Sequence, residues 1–221
     1  MGVLIFILLM VICMGLVYLI HKYFGKSEFY LLTIIYSIIS LMLSFKIVKI
    51  FGVDINIGII FSSSLIIILY YFVNKYGKDD AKKIIITMIV STVSCIIFLL
   101  QSCLMISSLY DTMSSLYQNM ILNNLPILIL YPISLISTLL LSNYCFEELK
   151  NVTVRKNIKS ILTIVGIMFI DTFIFIYFSY AFIIKFNVAM EIAITNLVFK
   201  SIIIIIYFFI INKIIKVRKV K

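Results

Sequence analysis

Two residues have a chemistry that does not suit their surroundings. Asp171 sits within IMFIDTFIFIYF (167–178), and Lys200 within NLVFKSIIIIIYFF (196–209). A charge at the centre of a membrane helix costs roughly 2.5–3.5 kcal/mol on insertion scales. Two opposite charges sunk to the same depth would lower each other's desolvation cost, without necessarily stabilising the fold. A carboxylate in a dry site accepts N–H donors at two oxygens, and an ammonium donates. Two readings stay open at this level. Asp171 and Lys200 line a pathway or ligand site, or they form a structural pair that locks two helices together.

Other polar positions recur at helical spacing. They are Thr87, Ser91, Ser94, Cys95 and Ser102; then Ser134, Thr138 and Ser142; then Asn196, Lys200 and Tyr207. Such stripes, like Ser62-Ser63-Ser64, either line a polar cavity or let helices pack closely. Enzymatic chemistry finds little footing, and the chain reads as a non-enzyme. His21 is the single histidine and falls at a membrane edge, where an interfacial role fits it better than catalysis. There is no HExxH, no serine elbow, no pair of intramembrane aspartates and no P-loop. Cys13, Cys95, Cys103 and Cys145 lack paired spacing and read as small buried hydrophobes. No metal or cofactor is expected.

The elements that must position these residues follow from hydropathy. The chain is 64% hydrophobic with a mean hydropathy of +1.22, more apolar surface than a soluble domain of 221 residues can hide. Apolar segments occur at roughly 2–20, 29–50, 55–75, 82–107, 122–145, 159–184 and 187–212. Each is near the length that crosses about 30 Å of hydrocarbon. Backbone groups in lipid must bond internally, and alternating strand patterns are absent, so helices are expected. The fold class is an all-α, polytopic membrane bundle of about seven transmembrane helices, six if the first is not a span, forming a single domain over 1–221. The first run lacks a basic n-region and a cleavage site, which argues for a retained helix. Gly52 marks the break between the second and third segments. Asp79 or Asp80 is placed to cap the fourth helix. The stretch 108–121 reads as an external loop or a short interfacial helix.

The net charge of +10 would invite a nucleic-acid reading in a soluble protein. Here the basic residues cluster at the ends of apolar runs, so topology explains them and no nucleic-acid partner is expected. Lys22 and Lys26; Lys75, Lys78, Lys82 and Lys83; Lys150, Arg155, Lys156 and Lys159; and Lys213, Lys216, Arg218, Lys219 and Lys221 share one side if there are seven spans. The other side holds Lys46, Lys49 and Lys185, the first two able to snorkel from a helix end. This predicts an N-terminus outside and a C-terminus in the cytoplasm. The composition, rich in Ile, Lys, Phe and Asn with two Arg and no Trp, fits an AT-rich bacterial genome.

The stretch 51–78, FGVDINIGIIFSSSLIIILYYFVNKYGK, resembles the hallmark region of the VUT family, the queuosine-precursor transporters. The likeness runs through Phe51-Gly52, Gly58, Ser64 and Tyr76-Gly77-Lys78. It resumes at Phe146 and Leu149-Lys150, continues through Ile170-Asp171-Thr172, and ends at Phe199-Lys200. Order and spacing agree across roughly residues 30–210, and the specificity lies in the ensemble of short motifs.

The resemblance implies a six- or seven-helix importer of 7-deazaguanine-type bases in the bacterial inner membrane. It also implies a central pocket near Asp171, Thr172, Lys200 and Tyr207, with Asn196 and Asn74 as secondary candidates. Asp171 would accept the ring N–H and exocyclic amine of a guanine-like edge. Lys200 would donate to the ring carbonyl or hold Asp171 ionised, and Tyr70 or Tyr207 would stack on the base. The departures are marked. Tyr70 and Asn74 stand where the family usually carries Asp and Glu, and Leu139 and Ser142 where it has Gln and Asp. Met168 replaces a Gln or Asn, and Leu41 and Leu43 replace an Asn and a Gln. Either the substrate is less polar or transport has been lost. Two alternatives are therefore carried: a substrate-binding subunit that needs an ATPase partner, and a non-transporting protein of the same fold. The oligomeric state is left open.

Overall fold

A computed structural model describes residues 2–108, 110–150, 152 and 156–218. Of the residues used above for orientation and loops, Leu109, Arg155, Lys219 and Lys221 lie outside the described residues, as do the side chains of Lys156, Lys216 and Arg218. Seven helical spans are long and apolar enough to cross a bilayer. They are α1 (Gly2–Tyr23), α2 (Lys26–Leu43), α3 (Ile59–Tyr76), α4 (Lys78–Cys103), α6 (Leu125–Lys150), a composite sixth span and α9 (Phe186–Arg218). The composite span joins α7 (Lys156–Thr172), a π-helical turn (Phe173–Tyr177) and α8 (Phe178–Ala181). The all-α polytopic bundle expected from hydropathy is what forms.

Burial separates the axis from the rim. Over the spanning window 78% of α3 is buried, against 22% of α1. A helix apolar all round belongs inside, and α3 packs on α9, α2, α6, α4 and α1. The stretch 108–121 gives a short helix, α5 (Ser114–Asn123), in the connection between α4 and α6.

The second and third segments differ from expectation. The second span stops at Leu43 rather than near 50, and the third begins at Ile59. Between them lie β1 (Ile47–Ile50) and β2 (Val53–Asn56), an antiparallel pair with Ile47 opposite Asn56 and Ile50 opposite Val53. Gly52 is therefore in a hairpin turn, not a simple helix break. Phe51 and Gly52 both take positive φ, 53° and 83°, as a two-residue turn between right-twisted strands requires. Lys46 and Lys49 do not snorkel from a helix end: Lys46 lies in the turn after α2 and Lys49 on β1. The hairpin's base, Ile55 and Asn56, is buried, and its tip, Phe51, is exposed. It lies against α9, where the Thr195 hydroxyl donates to the Asp54 carbonyl at 2.7 Å. Its backbone thus leans on protein, the condition under which non-helical chain is tolerated at membrane depth.

The start of α4 also differs. Gly77, at φ 92°, is the N-cap, and Asp79 and Asp80 sit inside the first turn. There a carboxylate opposes the helix's positive end, and Asp80 pairs with Lys26 at 2.5 Å and Lys83 at 3.5 Å. His21 is buried at the end of α1, its Nδ1 2.6 Å from the Tyr71 hydroxyl, which also receives a bond from the Lys75 ammonium at 2.6 Å.

Candidate functional site

Asp171 and Lys200 meet inside the bundle. Lys200, on α9, is 1% exposed, and Asp171, on α7, is 7% exposed. The Lys200 ammonium donates to Asp171 Oδ2. The other carboxylate oxygen, Oδ1, accepts the Ser134 hydroxyl at 2.6 Å and the Thr138 hydroxyl at 3.0 Å. These hydroxyls stand four residues apart on α6, so the helical repeat aims both at one oxygen. The third member of that stripe, Ser142, turns back to the Thr138 carbonyl at 2.6 Å. The stripe is thus partly a carboxylate-binding face and partly self-satisfied.

Beside the pair is a cavity of about 20 Å³. That suffices for roughly one water molecule. Six parts of the chain line it: Ser40 and Ser44 where α2 ends, Asn56 and Gly58 at the hairpin base, Ile59 and Ser62 of α3, Tyr131 and Ser134 of α6, Asp171 with Phe175 and Ile176, and Lys200. Phe175 and Ile176 belong to the π-helical turn that begins two residues after Asp171. The wider turn carries both onto the cavity side, and such turns recur at functional sites. Most hydroxyls here donate to backbone: Ser40 to the Gly58 carbonyl at 3.2 Å, Ser44 to the Ser40 carbonyl at 2.7 Å, and Tyr131 to the Ser37 carbonyl at 2.9 Å. Their oxygen lone pairs remain as acceptors. Among the described residues, Asp171 is the only partner of the Lys200 ammonium, which carries three donors.

Asn56 ties the hairpin base to three helices. Its N–H donates to Asn196 Oδ1 at 3.1 Å, its Nδ2 donates to the Ser44 carbonyl at 2.8 Å and to the Tyr180 hydroxyl, and its Oδ1 accepts the Gly58 N–H at 2.7 Å. Tyr180 in turn donates to the Ser44 carbonyl at 2.6 Å. Gly58 has no room for a side chain, because a Cβ would lie 2.7 Å from the Ser40 carbonyl oxygen.

The expected site residues divide. Asp171 and Lys200 come together at the cavity, and Asn196 joins it indirectly through Asn56. Thr172 is fully buried, but its hydroxyl has no hydrogen-bond partner and it does not line the cavity. Tyr207 lies two turns along α9 from Lys200, about 10 Å further on the same face, where its hydroxyl donates to the Met10 carbonyl at 3.1 Å. Tyr70 packs between Phe146 and Phe208, both at 5.3 Å. Asn74 caps the Tyr70 carbonyl at 2.8 Å, one turn back on its own helix. Neither Tyr70, Asn74 nor Tyr207 lines the space beside Asp171. Ser40, Ser44, Asn56, Tyr131 and Tyr180 were missed as cavity or cradle residues. For Asn56 alone there was a signal, the run VDIN, where polar residues alternate with β-branched ones shortly before a glycine.

Comparison with family models, curated proteins and solved structures finds no match to this chain.

Proposed function

We infer that the chain is a multi-pass transporter of the bacterial inner membrane that carries a small, flat, nitrogen-rich heterocycle of the 7-deazaguanine type. The likeness to queuosine-precursor transporters rests on the short motifs quoted above. The observation that carries the reading is the buried Asp171–Lys200 pair beside a cavity lined from six parts of the chain. A carboxylate with two acceptor oxygens matches a ring N–H and an exocyclic amine, and an adjacent ammonium matches a ring carbonyl. The surrounding Ser and Tyr oxygens accept further N–H groups. At about 20 Å³ the cavity has room for about one water molecule and none for a base. Binding a base therefore requires the walls to part, and the base exchanges for the Lys200, Ser134 and Thr138 bonds to Asp171.

Uptake of a radiolabelled 7-deazaguanine base tests this in cells unable to make one. The expected result is accumulation with the wild-type chain and loss with Asp171→Asn. No uptake, with the protein folded in the membrane, rejects the substrate. The saturation of Asp171 by three donors favours a second reading, a non-transporting protein in which the pair only holds the frame. That reading predicts that Asp171→Asn paired with Lys200→Met restores folding and alters no uptake.

A further inference from the structure

A long apolar groove runs between α1 and α9 on the bundle's outer face, with a volume of about 840 Å³. Val3, Gly15 and Tyr18 line it from α1, and Phe199, Ile206 and Ile210 from α9. From Val3 to Tyr18 a helix rises about 22 Å. The groove's almost wholly apolar lining suits extended hydrocarbon.

Charge marks one end of it. Lys22 stands one turn beyond Tyr18, and Lys213 one turn beyond Ile210. Residues three or four apart share a helix face, so both lysines continue the groove's lining at the same end, and both are exposed. Near the other end Lys49 is exposed on the hairpin, one cation against two. An apolar channel that opens under a pair of ammonium groups is complementary to an anionic lipid, with chains below and phosphate above. We propose that the α1–α9 groove binds one anionic phospholipid, its headgroup held between Lys22 and Lys213 and its acyl chains lying along Gly15.

Gly15 gives a clean probe. A Cβ there meets nothing within 4 Å, so the side chain of Gly15→Leu starts out into the open groove. The full chain would be placed in nanodiscs of equal phosphatidylglycerol and phosphatidylcholine, extracted in mild detergent, and its lipid adducts read by native mass spectrometry. The expected result is one retained phosphatidylglycerol, favoured over phosphatidylcholine about ten-fold. Lys22→Gln and Lys213→Gln each lower its retention about five-fold, and Lys49→Gln leaves it unchanged. Gly15→Leu abolishes the adduct while the melting temperature holds. Equal retention of both lipids, an adduct that survives Gly15→Leu, a greater loss with Lys49→Gln than with the other two lysines, or a second copy of the chain in place of lipid would each overturn the proposal.

Discussion

Asp171 receives three donors, and each is worth a different amount. Among the described residues, Lys200 supplies the only opposite charge it touches. Removing one partner of a buried pair strands the other, at about 3–5 kcal/mol, whereas replacing both can be neutral. If the pair only holds the frame, Lys200→Met and Asp171→Asn each destabilise by that amount and the double variant recovers most of it, as read by thermal unfolding in detergent; a transport site keeps folding and loses uptake. Ser134→Ala removes a hydrogen bond to a charged acceptor and should cost about 1.5–3 kcal/mol. Thr172→Val deletes a buried hydroxyl that has no partner, so its stability should stay within about 0.5 kcal/mol of wild type or rise. A loss as large as that of Ser134→Ala would show that Thr172 has a partner in the membrane. At this scale the sequence was legible where a residue contradicted its surroundings. Asp171 and Lys200 stand out because charge is rare in apolar runs. Asn56 does not, since one asparagine near Asp54 looks like ordinary loop. Tyr70, Asn74 and Tyr207 came in through a resemblance, and they lie two or more turns along their helices from the residues that line the cavity.

Among the elements, the hairpin is the part hydropathy could not reveal. Residues 47–50, IVKI, continue the apolar character of α2, and a short apolar run does not distinguish strand from helix. Phe-Gly is also a weaker turn signal than Asn-Gly. Phe51 at φ 53° carries a conformation that asparagine or glycine adopts more readily. Phe51→Asn should therefore stabilise the hairpin, by up to about 1 kcal/mol, while Gly52→Val, at φ 83°, should destabilise by about 1–2 kcal/mol. Thermal unfolding of the two variants checks both, and a destabilised Phe51→Asn would mean that the ring, not the backbone, matters at that tip. Gly58→Ala should cost more than either, because the Ser40 carbonyl lies in the way and belongs to backbone. The helices were easier to read. All seven were found, their ends shifted by up to six residues except where the hairpin cut the second short by seven.

For the whole molecule, the described basic side chains at the helix ends fall mostly on one side. The ends of α1, α3, α6 and α9 and the starts of α2, α4 and α7 carry Lys22, Lys75, Lys150, Lys213, Lys26, Lys78, Lys82, Lys83 and Lys159. Basic loops are retained in the cytoplasm. The prediction is that single cysteines introduced at Lys78 or Lys213, in a chain otherwise free of cysteine, resist membrane-impermeant thiol reagents in intact cells, and one at Phe51 reacts. The reverse labelling would invert the orientation. The seven spans were legible because lipid enforces length and apolarity on each independently. Which faces meet was not, because lipid and protein interior are equally apolar and Ile or Phe serves both.

The ties of Asn56 have a consequence for how the chain is made. Its partners Tyr180 and Asn196 lie 124 and 140 residues later. A ribosome working at about 5–20 residues per second reaches them many seconds after the strands emerge. Until then the hairpin base has no place to dock and must wait in the polar headgroup zone or in the translocon. Nascent chains arrested before α9 should leave this segment open to protease, and release of the complete polypeptide should close it.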